Sequence, residues 1–490
     1  MRAREMCGAW RCGLAAVVAC ACVGCGPSPL APLAPSPVPQ VYREAAASET
    51  TASSATADWR AFEDLTLDAW LARAVAGNPS LDQAAARVER AAAVLGGQAA
   101  LASPRVDASV AASRRDGALV NDAGSRGNLF QAGLALRWDP DLFHQLSRQQ
   151  QAAQQDLRAQ QALHRQACLA LQADVSQAYL AWRLVRLERG VMDGLLRADE
   201  ALVATAARRV AAGLAPPAEQ EAALNTRQAD ALAHQALLRR EAELDHALVA
   251  LAGGDASLAV AHAPKTAPAV DPAQPQAADL PALPTLPAVP PGLPSQLLQR
   301  RPDIEAAQAR VQAARLRLGL AHDAWFPALA LTAQAGQASA ELGQWLHAAA
   351  RSSGLGLLLS LPVFDGGRRD AERAGAQAQL AEATAAHRAR VVAALREVDD
   401  QLVALRTLGE AAHLQSQRLE LALQAQARAH RQWRQGLLPA TDAWQASRAV
   451  LQQQQRWIQT EAARSEATVA LMHALGGGWQ AAPVQTASLH

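Results

Sequence analysis

The chain carries its own punctuation twice, at a spacing of 223 residues (302 − 79 = 223). Asn78-Pro79-Ser80-Leu81 returns as Arg301-Pro302-Asp303-Ile304, and Pro104 returns as Pro327. Gly213-Leu214-Ala215-Pro216 returns as Gly436-Leu437-Leu438-Pro439, and Gly253-Gly254 as Gly476-Gly477. The register slips by two only in the middle, where Gly133 and Phe143 meet Gly354 and Phe364. A unit this long is no solenoid repeat of a few dozen residues. It is an internal duplication, so every local pattern can be read twice.

Read twice, one copy runs as follows. Leu65 to Ala76 has the spacing of a short amphipathic helix. Pro79 and Pro302 open matched helices at the first-turn position, where a missing N–H costs nothing. Asp303 and Glu305 put acid near the positive end of the second of these. The Arg300-Arg301 pair there fits a structured helix start better than an anion site. Near Pro104 and Pro327 the hydrophobic period changes from 3.6 to 2. Val106, Ala108 and Val110 alternate with Asp107 and Ser109; Phe130, Ala132, Leu134, Leu136 and Trp138 alternate with Gln131, Gly133, Ala135 and Arg137. In the second copy Leu329, Leu331 and Ala333 share a face, as do Leu355, Leu357, Leu359 and Leu361 opposite Gly354, Gly356 and Ser360. Strands of about 9–11 residues with apolar-out, polar-in alternation carry the membrane β-strand signature. Loops are expected from Ser113 to Leu129 and from Gln337 to Ser353. Aromatics gather at the other strand ends, where they suit an interfacial belt or a plug between sheet and helix.

After each strand pair comes a run without proline, Asp141 to Ala212 and Arg368 to Gln435. At ~1.5 Å per residue each would reach about 100 Å as one helix. Gly190, Gly194, Gly375 and Gly409 interrupt these runs as candidate bends. Each run ends in a Gly-Leu-x-Pro turn, and a shorter helix, Ala218 to Leu251 or Thr441 to Leu475, returns. Hydrophobic residues make up 50% of the chain but aromatics only 4%. Small and aliphatic side chains therefore carry the apolar content, and Ala, Leu, Gln and Arg all favour long helices.

The N-terminus reads as an export signal: Arg2, Arg4 and Arg11, then an apolar core from Leu14 to Val23. Val23-Gly24-Cys25-Gly26 resembles a bacterial lipobox with Cys22 where leucine is usual, and Val17-Val18-Ala19-Cys20 is a competing match. With Cys25 acylated only Cys168 is left, so packing and not disulfides must hold the fold. The expected organisation is a signal peptide over 1–24, a lipidated tether over 25–58 and a first repeat over 59–255. A Pro-rich linker over 256–285, a second repeat over 286–479 and a disordered tail over 480–490 complete it. A net charge of +1 gives no electrostatic case for nucleic acid.

Four membrane strands cannot close a barrel, since about eight is the practical minimum. Lipid tolerates no open sheet edge, because each unpaired backbone group costs several kcal/mol. The chain must share a barrel with copies of itself, and a polar-lined barrel continued by a helical sheath is a conduit.

Several pieces then carry a family resemblance. They are Cys25-Gly26-Pro27, Trp138-Asp139-Pro140-Asp141-Leu142-Phe143, Leu293 to Ile304, Ala324-Trp325-Phe326-Pro327, Leu361-Pro362-Val363-Phe364-Asp365-Gly366-Gly367 and Ala474 to Trp479. The chain resembles a TolC-type outer-membrane factor, in particular the lipoprotein branch (NodT type) serving resistance-nodulation-division efflux pumps. The resemblance implies a mixed α and β fold, mostly α, in which three chains build a twelve-stranded barrel and a periplasmic tunnel of coiled-coil helices. It implies a homotrimer in the outer membrane, embedded in its lipid, working with a periplasmic adaptor protein and an inner-membrane pump. It places Asp442, six residues after Gly436, at a ring that constricts the periplasmic mouth, with Glu219 as its repeat counterpart (442 − 223 = 219). Both acids could equally cap helices. Gly213, Leu214, Gly436 and Leu437 resemble the tips that meet the adaptor, and Cys25 the lipid attachment site. Gln445 stands where some relatives carry a second acid, and His144 where glycine is usual, so the bend at His144 is expected to be made differently.

No His-Glu-x-x-His, Gly-x-Ser-x-Gly, Cys-x-x-Cys or phosphate loop occurs, so neither an enzyme nor a cofactor is expected. A channel for type I protein secretion and a pore-less periplasmic coiled-coil tether are the alternatives. The cargo stays open.

Overall fold

The 223-residue echo holds element by element in a computed structural model of the chain. Helix α1 spans Leu65–Gly77 and α2 spans Pro79–Ala100; strands β1 and β2 span Arg105–Arg115 and Gly127–Trp138. Helices α3 and α4 follow over Gln145–Ala211 and Pro217–Leu251. The short α5, Pro294–Arg300, precedes α6 over Pro302–Asp323, β3 over Ala328–Ser339 and β4 over Arg351–Ser360. Helices α7 and α8 close the series over Arg368–Arg434 and Ala440–Ala474. Both α3 and α7 have 67 residues, both α4 and α8 have 35, and both α2 and α6 have 22. The structure describes residues 39, 42–44, 59–115, 127–254, 283–290, 294–341, 343, 347 and 351–477. The expected signal peptide, Cys25, and most of the tether, linker and tail lie outside them.

The chain divides into two compact units. One holds Arg90–Arg158 with Gln308–His387, and therefore the sheet. Its strand order is β1-β2-β3-β4, every pair antiparallel, so the β2–β3 seam joins the two copies. At that seam Gly133 faces Gly336. A Cβ on Gly336 would sit 2.5 Å from the Ala132 carbonyl oxygen, so side-chain-free backbone is required there. Leu355, Leu357 and Leu359 project to one face of β4 and are 91%, 67% and 64% exposed, as a lipid-facing row would be in an isolated chain. Leu358 is also exposed, on the face expected to be polar. The strands run farther than their apolar alternation: β1 reaches Arg115 and β2 starts at Gly127, so both enter the expected loop Ser113 to Leu129. Polar residues continue the ladder because backbone bonds and not side chains hold it.

At the helix end of this unit Phe143 stacks on Phe326 at 5.3 Å, and the Arg369 guanidinium lies 4.1 Å over the Trp325 ring. These rings plug the join, while Phe364 is 90% exposed. His144 corrects an expectation. It enters the left-handed region at φ 58°, as Gly366 does at 66°, so the bend is made the way a glycine makes it, by a residue that is strained there. Asp141 then accepts from the Leu146 and Ser147 amides (3.0 and 2.7 Å) to cap α3. Asp365 does the same for α7 through the Gly367 and Arg369 amides.

The second unit holds Pro37–Glu89, Ala159–Ala307 and Arg388–His490. Its largest apolar cluster gathers Leu67, Trp70, Leu71 and Ala74, a stripe of α1 at helical spacing, against Leu169, Leu180, Leu248 and Met472. Each fully buried large side chain here contributes about 1.5–3 kcal/mol. Asp64 starts α1 by accepting from Thr66 N at 2.9 Å, and it also binds Tyr179 Oη at 2.8 Å and Arg183 at 2.6 Å. The duplication shows at single-bond level. Asn78 Nδ2 donates to the Leu251 carbonyl at 2.8 Å, and its counterpart Arg301 donates to the counterpart carbonyl of Ala474 at 3.0 Å. Arg301 is buried and also binds Asp303 and Glu397, at 2.7 and 2.6 Å. Its donors are directed to Asp303 of the α6 start, Glu397 of α7 and the Ala474 carbonyl of α8. Helices α3 and α7 run unbroken through Gly190, Gly194, Gly375 and Gly409, and at Gly194 a Cβ would press on Leu451 at 3.1 Å. Gly194 is there for close packing.

Candidate functional site

The site is built where α3 hands over to α4 and α7 to α8. Gly213 (φ 69°) and Gly436 (φ 71°) close their helices in the left-handed region that glycine tolerates. The Leu214 amide donates back to Arg209 O at 2.8 Å, and the Leu437 amide to Gln432 O at 2.9 Å. Pro216 and Pro439 then start the returning helices. Between them Leu214 and Leu437 are 73% and 74% exposed, apolar side chains held out by rigid turns.

Glu219 and Asp442 occupy matching first-turn positions, and both backbone amides bond to the proline carbonyls, Pro216 and Pro439. Their side chains differ. Glu219 is ion-paired with Arg209 at 2.9 Å. The residue matching Arg209 is Gln432 (209 + 223 = 432), so the second copy has no cation at that position. Asp442 is exposed, with Thr441 Oγ1 donating to it at 3.3 Å. One tip acid is neutralised and the other keeps its field.

Behind the tips lies a cavity of about 430 Å³ between α3, α4 and α8, lined by Asp199, Glu219, Thr441, Gln445 and Arg448 among others. Arg448, on α8, donates to Asp199 of α3 at 2.7 Å and also binds Asp230 of α4. Asp199 is 1% exposed. Burial pushes its carboxyl up to about 6; the Arg448 guanidinium pulls it down and the neighbouring Asp230 raises it. Sequence reading missed these three residues, because Arg448 stands 249 and 218 positions from its partners. The only signal was a break in the echo. Their counterparts are Ala422, Gln453 and Asn225 (each offset by 223), none of them charged.

Among the described residues no group of three or more His, Cys, Asp or Glu could hold a metal, and no helix is long and apolar enough to cross a membrane. A family model described as outer membrane efflux protein matches residues 70–253 and 293–477, one copy of the duplication each. The chain belongs to the outer membrane efflux protein family. Outer membrane protein OprJ of Pseudomonas aeruginosa is 32% identical over 457 residues, 90% of this chain and 91% of that protein. The solvent efflux pump outer membrane protein SrpC of Pseudomonas putida is 28% identical over 429 residues, 85% and 86% of the two chains. A solved membrane protein from Pseudomonas aeruginosa matches with a TM-score of 0.78 at 28% identity, covering 92% of this chain and 100% of that one. As a member of the outer membrane efflux protein family, the chain is the outer-membrane channel component of an efflux pump, extending into the periplasm.

Proposed function

We propose that three copies of the chain close one conduit through the outer membrane, which receives cargo from a periplasmic adaptor and an inner-membrane pump of the resistance-nodulation-division type. The observation that carries this reading is the four-stranded sheet, in which β1 and β4 each pair with a strand on one side only. An open edge in lipid costs several kcal/mol per unpaired group, and a third of a twelve-stranded barrel resolves it. Two repeats, 59–255 and 286–479, supply two strands each, and acylation at Cys25 anchors the tether that precedes them. The chain conducts cargo and performs no chemistry on it.

In this reading the Gly213-Leu214 and Gly436-Leu437 turns present apolar tips to the adaptor. Asp442, repeated three times, rings the mouth as a cation-favouring constriction. Glu219, held by Arg209, contributes less charge than its position alone implies. Current through single channels of Asp442→Ala tests this. Conductance should rise or cation preference fall, with a smaller change for Glu219→Ala. Asp442→Ala channels indistinguishable from the parent in both properties would remove the ring.

A further inference from the structure

The buried Asp199–Arg448–Asp230 cluster carries a property beyond the efflux reading. One Asp199 oxygen, Oδ1, accepts from Arg448 Nε at 2.7 Å, while the other, Oδ2, is buried without a hydrogen-bond donor. Asp230 is bound by the same guanidinium, through Arg448 Nη2 where Asp199 takes Nε, and its charge acts on Asp199. Two ionised carboxylates meeting there would leave a buried oxygen unsatisfied and face like charge across a short gap, an arrangement that disfavours double ionisation. A single proton removes both defects. It turns Oδ2 into a hydroxyl donor and takes the cluster from a net charge of −1 to zero, with Arg448 still bonded to both.

We propose that Asp199 and Asp230 share one proton beneath Arg448, and that this proton fastens α8 to the α3–α4 pair. The charges acting on Asp199 come from Arg448 on α8 and Asp230 on α4. Glu219 lines the same cavity but is paired with Arg209 of α3. On the flanking turns Arg227 engages Glu200, and His234 engages Asp193 at 2.9 Å. The internal duplication supplies a comparison within one molecule. At the matching positions stand Ala422, Gln453 and Asn225, none of which titrates, so the duplication does not repeat the charged set. The three residues tie the second copy to both long elements of the first, which makes the proton a pH-dependent fastener tightened by acid.

The test uses the full-length protein in lipid nanodiscs, with the proton itself as the probe. The carbonyl stretch of a protonated carboxyl should grow in with a midpoint at about 6 as pH falls. It should be missing in Asp199→Asn and shifted to lower pH in Asp230→Asn. Amide exchange of residues 443–450, corrected for its intrinsic pH dependence, should slow by on the order of tenfold over the same range in the parent. In Asp199→Asn, whose amide mimics the protonated acid, it should be slow throughout. A carboxyl band that persists unchanged in Asp199→Asn would overturn the proposal, as would parent-like pH dependence of exchange in both variants. The two substitutions sit on different helices, α3 and α4, which keeps the result readable if one variant folds poorly.

Discussion

At the scale of single residues, the backbone makes the sharpest demands. His144 sits at φ 58° where a side chain is strained. His144→Gly should raise thermal stability by about 1 kcal/mol, read from helix circular dichroism on heating. An unchanged or lower transition would mean the imidazole makes a compensating contact. Gly253 is the opposite case. At φ 86° a Cβ there would lie 2.1 Å from the Gly77 carbonyl oxygen. Gly253→Ala should destabilise by roughly 3 kcal/mol, since both the conformation and the space forbid a side chain. A melting point equal to the parent's would contradict that geometry. The two tip acids show why residue identity alone misleads: Glu219 and Asp442 match in sequence position, yet among the described residues only Glu219 is ion-paired with an arginine.

At the scale of elements, the ion clusters between helices respond to acid with opposite signs. Asp303 is buried, which by itself raises its carboxyl, but the hydrogen bonds and charge of Arg301 outweigh that and hold it below the usual range. Its contribution is therefore complete above the unfolded carboxyl value of about 3.9 and is lost as pH falls below it through the depressed folded value. Asp199, raised to about 6, works the other way, so its junction gains stability as pH falls from above 6 toward about 4. Arg301→Leu should cost about 3–5 kcal/mol at neutral pH, because it leaves buried Asp303 with only the longer contact to Arg390, at 3.8 Å. The same variant should lose much of that deficit below about pH 4, where Asp303 protonates. A deficit independent of pH would assign the role of Arg301 to packing alone. Sequence pattern reached every long element, since periods of 3.6 and 2 are local properties that proline and glycine punctuate. It did not reach the clusters. Arg301 with Glu397, and Arg448 with Asp199 and Asp230, are non-local pairs that no spacing rule connects. At His144 the pattern located a bend but not how it is made, because a non-glycine in the left-handed region leaves no trace in composition.

At the scale of the whole molecule, the duplication explains why one chain carries two strand pairs, two 67-residue helices and two returning helices, and why the sheet they form still has two edges. A membrane sheet with edges is a fragment of a larger closed surface, which the outer membrane efflux protein family builds from several chains. In the proposed reading the tip acids and the exposed leucines at the turns act on one conduit. The most direct measurement is the current through a planar lipid bilayer after addition of the purified full-length protein. Discrete, uniform conductance steps should follow, carried by a heat-labile assembly of three chains. A preparation that stays monomeric and passes no current would contradict the account at its centre.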